Sequence, residues 1–331
     1  MISSPRRQQG VALIMVLMIV AIVVVIAVNM SGRLQLTLQR QQNLQQQQQA
    51  FWYAMGAEAF ARQLLRRSLQ GQDTAHLGQD WALQGATFPV PDGSISGVIS
   101  DLQSCFNLNA LYQAPDPSGQ MRTETTPAQQ SFQRLLELVA TDLSMPAEYL
   151  MARIADWLDE DTLLRTAGSA EDDDYASLIH PYYAANTLMG TVTELRVILD
   201  VTPDDYKLLQ PYVCVIPDEP GLNINVNTLT EETAVLLSAV IAELDQGAAQ
   251  DLVANRPEAG YSSMDEFWGS GALAGIEVEE AIKELLTVGS SYFKLTARVG
   301  YQESGMTMES VLRIQQDQGV TVMARRLGGA G

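Results

Sequence analysis

The chain has 331 residues, with 20 Lys and Arg against 39 Asp and Glu and a formal net charge of −19. No acid precedes Glu58, so residues 58–331 carry 23 net negative charges, a field that repels nucleic acid and anionic membrane surface. With the first 28 residues set aside, about 300 remain, enough for one large domain or two ordinary ones.

Residues 1–10, MISSPRRQQG, form a short polar leader with Arg6 and Arg7. Residues 11–28 follow as an apolar run without charge or proline, at the lower limit of what crosses a bilayer as a helix. A secretory signal is cut after its apolar run, at small residues. Here the candidate processing site, Gly10, stands before the run, so cleavage between Gly10 and Val11 would leave the anchor on the mature chain. An ordinary signal anchor with an accidental glycine is the alternative. Arg6 and Arg7 precede the run while Arg33 and Arg40 follow it, so charge favours a cytoplasmic N-terminus only slightly.

From residue 29 to 68 there is no proline, and only Gly32 and Gly56 interrupt the side chains. The Gln-rich stretch 39–49 has good helix propensity and no core residues. Phe51, Met55 and Ala59 then recur at helical spacing, widened by Trp52, Phe60 and Leu64. The pattern predicts one helix over 11–68, about 87 Å long at 1.5 Å per residue, membrane-bound in its first half and amphipathic in its second. A Gly, Asp and Gln-rich loop occupies 71–80. Residues 94–103, SISGVISDLQ, read as a strand. So do three runs near the C-terminus, with Phe293, Leu295, Ala297 and Val299 alternating, Met308, Leu312 and Ile314 sharing a face, and Val320, Val322 and Ala324 alternating. Turns at 300–305 and 317–319 join these into an antiparallel meander.

Between the first strand and the meander, residues 105–290 read as mostly helical, with runs at 128–143, 146–158, 192–199, 230–241, 247–255 and 278–286. The fold class is therefore α+β, a long N-terminal helix on a small antiparallel sheet with a large all-α domain inserted between strands. The organisation is a leader over 1–10, a transmembrane segment over 11–28, the helix continuation and first strand over 29–104, the inserted domain over 105–290 and the last strands over 291–331. The inserted part echoes itself. Phe106-Asn107-Leu108-Asn109-Ala110-Leu111 resembles Ile224-Asn225-Val226-Asn227-Thr228-Leu229, and Val192-Thr193-Glu194-Leu195 resembles Met264-Asp265-Glu266-Phe267. Two related helical units are expected. The second Asn motif also resembles helix-hairpin-helix DNA modules, but residues 228–260 hold one base, Arg256, against six acids. Helix capping by Asn227 or Thr228 is the better reading.

The cysteines are Cys105 and Cys214. Outside the cytosol two cysteines are most simply a disulfide, and inside it they would be two unrelated thiols. Asp156, Asp159, Glu160, Asp161, Glu171, Asp172, Asp173 and Asp174 place eight acids in 19 residues around one base, Arg165. Carboxylates on either side of a flexible Gly168-Ser169 suit Ca²⁺, which takes 6–8 oxygen ligands, while a solvated acidic loop is the alternative. His76 and His180 sit in no nucleophile or metal motif, and no Gly-rich phosphate loop is present, so no enzymatic function is expected.

The glycine-ended leader, the anchor start VALIMVL and the segments AFWYAMGAEAFA, DLQSCFNLNAL, DWLDEDTLLRTAGSAEDDDY, GLNINVNTLT, YFKLTARVGY and ESVLRIQQ together resemble the minor pseudopilin K family of bacterial type II secretion systems. The resemblance covers nearly the whole chain. It implies the pseudopilin fold, processing by prepilin peptidase between Gly10 and Val11 and N-methylation of Val11, and in a periplasmic domain the two cysteines are expected to form a Cys105–Cys214 disulfide. It also implies a single pass through the bacterial inner membrane, with the N-terminus cytoplasmic and the bulk of the chain periplasmic. Most pilins carry Glu at the fifth mature position, where this chain has Met15, and the K family shares that departure. A carboxylate in lipid is costly unless paired, and a subunit at a filament tip has no neighbour ahead to pair with. The resemblance further implies a place at the pseudopilus tip, export across the outer membrane as the task, and the minor pseudopilins I and J as partners. It turns the acidic cluster into a calcium site, with Asp159, Asp161, Glu171, Asp172 and Asp174 as ligands and Asp156 as a further candidate. Exported proteins or the outer-membrane channel are the alternative partners, through the inserted domain.

Overall fold

The structure, a computed structural model, describes residues 11–83, 85–114, 125–315 and 319–329. Gly10 and the leader lie outside the described residues. Helix α1 runs unbroken over Val11–Leu69, 59 residues, because no proline interrupts it. Its first 35 residues, 11–45, are exposed, apolar run included. From Ala50 it buries one stripe, Ala50, Ala54, Glu58, Ala61, Leu65 and Leu69. This differs from the expected aromatic stripe, since Trp52, Ala59 and Phe60 face outwards. Alanines lay the helix close to the sheet, and that close approach leaves the large rings at its flank.

Strands β1 (Thr87–Val90) and β2 (Gly93–Asp101) follow the loop after α1. Residues 106–287 then hold β3 (Phe106–Asn107), α2 (Pro127–Val139), α3 (Ala147–Leu158), α4 (Asp172–Ala176), α5 (Pro203–Leu209), β4 (Val213–Cys214), β5 (Ile224–Asn225), α6 (Val235–Val240), α7 (Gln246–Ala254), α8 (Met264–Trp268), α9 (Glu280–Lys283) and β6 (Leu286–Thr287). The chain closes with β7 (Tyr292–Tyr301), β8 (Ser304–Gln315) and β9 (Gly319–Gly329). One antiparallel sheet has the order β1-β2-β7-β8-β9. The sequence reading lacked β1, whose four residues include Pro89, a residue that a sheet tolerates at its edge.

Glu58, the first acid of the chain, is buried and fastens α1 to the sheet. Its carboxylate accepts from Arg325 Nε at 2.6 Å, Arg325 Nη2 at 2.8 Å and Ser310 Oγ at 2.8 Å. Tyr53 on α1 meets Tyr301 edge-on at 5.8 Å, and further along, Trp81 meets Phe293 at 4.9 Å. Since Gly93 pairs with Tyr301 and Asp101 with Phe293, the Asp101–Phe293 end of the sheet lies away from the apolar segment of α1. The inserted region leaves and re-enters the sheet at that end.

That region has its own core, with Phe106, Phe132, Leu136, Leu150, Ile154 and Leu237 among its fully buried members. It contains two short parallel pairs, β3 with β4 and β5 with β6, which a purely helical expectation did not include. The sequence echo corresponds to a repeated set of bonds. Asn109 Oδ1 accepts from Met189 N at 2.8 Å, and its Nδ2 donates to Met189 O at 3.0 Å and Ile216 O at 2.9 Å. Asn227 Oδ1 accepts from Tyr261 N at 2.7 Å, and its Nδ2 donates to Tyr261 O at 2.9 Å and Val288 O at 3.3 Å. Neither Asn227 nor Thr228 caps a helix. Thr228 Oγ1 donates to Asp101 Oδ2 at 2.6 Å, which corrects the capping expectation: each Asn spans backbone groups distant in sequence instead. Asp101, itself buried, also accepts from Gln103 N, Asn225 Nδ2 and Ser290 Oγ, joining the exit strand, the second repeat and the return strand.

Candidate metal centre

Helix α3 ends on Ile154-Ala155-Asp156-Trp157-Leu158, with Asp159 as its C-cap. Asp156 is buried because the last turn of α3 is covered on every side, with residues 154–159 all buried. Glu171 is the N-cap of α4, and Asp174 Oδ2 accepts from Glu171 N at 3.0 Å. This bond fixes where Glu171 enters. Between the two helices, Gly168 has φ +94°, and a Cβ there would stand 2.3 Å from the Tyr149 ring. Only glycine lets the loop close so tightly.

Asp156, Asp159 and Glu171 each offer one carboxylate oxygen within 4.8 Å of the others, and all three are buried. Both oxygens of Asp156, Oδ1 of Asp159 and both oxygens of Glu171 have no hydrogen-bond partner among the described residues. Arg165 Nε sits 2.6 Å from Asp159 Oδ2 and 3.7 Å from Asp156 Oδ1, and its Nη1 donates to Gln113 Oε1. Three carboxylates against one guanidinium leave two negative charges at a buried point. Burial first, then repulsion from Asp156 and Asp159, pushes the Glu171 carboxyl up to about 8. Burial raises Asp156 to about 7 and also raises Asp159, against the pull of Arg165. Unpaired buried carboxylates are costly unless a cation or proton neutralises them. The donor set is all hard oxygen, which suits Ca²⁺ or Mg²⁺ rather than a soft metal. These residues therefore fit a divalent cation.

Of the expected ligands, Asp159 and Glu171 belong to this trio, and Asp156 completes it. Asp161 Oδ1 accepts from Leu163 N at 2.8 Å, and Asp172 Oδ1 accepts from Ala184 N at 3.1 Å. With the cap made by Asp174, those three carboxylates shape the loop around the trio. Sequence reasoning did not assign the role of Arg165, although a single base among eight acids was a signal. It also missed the aromatic wall behind the trio, where Trp157 meets Tyr175 and Tyr175 meets Tyr182, both at 5.3 Å. Cys105 and Cys214 are joined, with Cα atoms 5.8 Å apart, beside the β3–β4 pair. Met15 lies on the exposed apolar part of α1.

The family pattern described as type II secretion system protein K matches in two parts, over residues 104–218 and 224–289. The chain is 38% identical to type II secretion system protein K of Pectobacterium carotovorum subsp. carotovorum over 327 residues, covering 98% of this chain and 97% of that protein. The chain belongs to the protein K family of type II secretion systems. The Aeromonas hydrophila member is also 38% identical, with 99% of both chains covered. The two matched parts of the protein K pattern coincide with the two Asn-clamped units. A crystal structure of the GspK-GspI-GspJ complex from the enterotoxigenic Escherichia coli type 2 secretion system contains a chain of the same fold. It has a TM-score of 0.77 and 31% identity, and the match covers 88% of this chain and all of that one. Among the described residues one helix, α1, is long and apolar enough to cross a membrane.

Proposed function

We propose that this protein K caps the type II secretion pseudopilus, helps to start its assembly and takes no catalytic part in export. The observation that carries the proposal is where the inserted region sits. It crowns the end of the sheet remote from the apolar segment of α1, so a filament growing from the membrane would end in a large head. In this reading prepilin peptidase cuts between Gly10 and Val11, Val11 is methylated, the N-terminus stays cytoplasmic and the bulk of the chain is periplasmic. Met15 fits a subunit with no neighbour ahead, since it avoids an unpaired carboxylate in lipid. Minor pseudopilins I and J are the partners, an extension to this chain of the complex seen for its relative. Calcium is the ion of the Asp156, Asp159 and Glu171 trio, supported by their five unpartnered oxygens. Bound there, a divalent cation would neutralise the site and hold the end of α3 to the start of α4.

The test is deletion of the gene for this chain in its own host, with the full-length chain supplied back. Export of the system's substrates should fail and be restored, and the restored chain should co-purify with I and J pseudopilins. Undiminished export, or co-purification with neither, would refute the proposal. A second reading has one favouring observation. Residues 105–290 hold 31 acids against 8 bases, and Ile179 on that head is 94% exposed. An acidic head with an exposed apolar side chain suits contact with exported proteins or the outer-membrane channel. Capture of either by a crosslinker at position 179 is its test.

A further inference from the structure

We propose that the face of the sheet turned away from α1 is a docking groove for an extended acidic segment of another protein. The proposal goes beyond the capping role and does not depend on it. Side chains alternate between the two faces along a strand. In β7, Leu295 and Ala297 are buried in one cluster with Ala61 and Leu65 of α1, and Val299 in another with Ala50 and Ala54. Lys294, Thr296 and Arg298 therefore point the other way. The register carries this outer face across the sheet. Arg298 stands level with Ser96 and Thr307, and Thr296 with Glu309, which is level with Arg326. The outer face holds the bases Lys294, Arg298, Arg313 and Arg326 and one acid, Glu309, on a chain whose net charge is −19. Arg326 lies 3.8 Å from Glu309, and Arg313 stacks over the Tyr292 ring at 5.5 Å. Lys294 and Arg298 have no ion pair among the described residues.

The face is also shaped for a polypeptide. It carries a groove of about 710 Å³, lined by Ser94, Ser96, Arg298, Glu309, Arg326 and Gly328 among others. Small residues make its floor. Gly300 and Gly305 pair between β7 and β8, and a Cβ on Gly328 would meet no atom within 4 Å. Such a floor lets another backbone approach closely. The head stands beside the groove, where Arg326 Nη2 donates to Thr193 Oγ1 at 3.4 Å. Charge then selects the occupant. Guanidinium groups bind carboxylates in a two-pronged fork, and the exposed Arg298 has no carboxylate partner. A long polyanion would run against the head, whose residues 105–290 hold 31 acids and 8 bases. The bilayer is remote, because α1 travels 22 residues from Val28 to Ala50, about 33 Å, before it is buried on the sheet. A short acidic segment in extended form meets neither obstacle.

The experiment uses the full-length chain in detergent micelles and reads the fluorescence anisotropy of short labelled peptides. A peptide of alternating glutamate and serine should bind, and one of alternating lysine and serine should not. Binding should weaken as salt rises. Arg298→Glu should weaken it about tenfold without moving the melting temperature, since Arg298 is exposed. Glu309→Gln removes the one acid of the face and should tighten binding. Lys207→Glu, on the head, should leave it unchanged. No binding of the glutamate peptide, equal binding of the lysine peptide, or binding unmoved by Arg298→Glu would overturn the proposal. So would displacement by phosphatidylglycerol vesicles or by an oligonucleotide as effective as that by unlabelled glutamate peptide, because the groove would then accept any anion. Failure here leaves the capping role standing, since export and co-purification with I and J test that role separately.

Discussion

Asp156, Asp159 and Glu171 converge with five oxygens lacking a donor, a state that folding favours only with compensation. Metal bound to the folded state alone stabilises it by about 2.7 kcal/mol at a hundredfold excess over Kd. Chelation of the purified chain should lower its melting temperature, and Ca²⁺ should restore it better than Mg²⁺, whose octahedral shell suits a loose multidentate site poorly. Asp156→Asn with Glu171→Gln should remove the difference between chelated and calcium-loaded protein, and elemental analysis should show the ion lost. A melting curve indifferent to chelator would count against the site. Asp205 is the opposite kind of buried acid. Burial pushes its carboxyl up, but donation from Ser144 N and Oγ and from Thr202 N and Oγ1 outweighs burial and holds it below the usual carboxylate range. A depressed pKa stabilises the fold above the unfolded value, about 3.9, and the benefit is lost as pH falls through the lower folded value. Asp205→Asn should therefore cost about 1–3 kcal/mol at pH 7. Its stability gap from the native chain should narrow below about pH 4, as read by denaturant titration across pH.

Among the elements, the disulfide joins positions 109 apart, which in the chain-entropy account corresponds to about 4–5 kcal/mol. Reduction, or Cys105→Ser with Cys214→Ser, should lower the melting temperature by several degrees and loosen β3 from β4, seen as faster amide exchange at Phe106 and Val213. Two free thiols by mass in protein taken from the native host would contradict the bond there. The legible elements were those whose signal is local. Helix α1 was readable from an absence of proline, β7 to β9 from period-two alternation, and α2 and α3 from apolar spacing. The strands β3 to β6 have two residues each, and their partners lie from 62 to 107 positions away, so no window of sequence contains the pair. The buried stripe of α1 was misread for a related reason. Hydropathy points to Phe51, Trp52 and Phe60, but close packing on a sheet selects Ala50, Ala54 and Ala61.

For the whole molecule, charge is divided as the architecture is. The 31 acids and 8 bases of residues 105–290 contrast with 8 acids and 12 bases in the rest, so the head is acidic and the rod and sheet are not. The mature chain should begin at Val11, which intact-mass measurement checks, and a start beyond Val28 would overturn the anchored topology. Met15→Glu should impair secretion, because an unpaired acid at the fifth position of the apolar run is costly, up to about 2.5–3.5 kcal/mol on insertion scales for the helix centre. Full export with normal filaments would make Met15 incidental.

Composition and local pattern by themselves determined the apolar segment, the long helix, the meander, the inserted helical region, its internal echo and the acidic segment, because each is written in neighbouring residues. They also brought Asp159 and Glu171 forward as ligands, since charge density is local. Only the tertiary structure decided which carboxylates meet. Asp156 enters the trio because the last turn of α3 is buried on every side, while Asp161, Asp172 and Asp174 are engaged by nearby backbone amides. Tertiary structure likewise decided that Asn109 and Asn227 clamp distant backbone rather than cap helices, and that Trp52 and Phe60 face water. In each case the deciding partner is remote in sequence, and only folding brings it within reach.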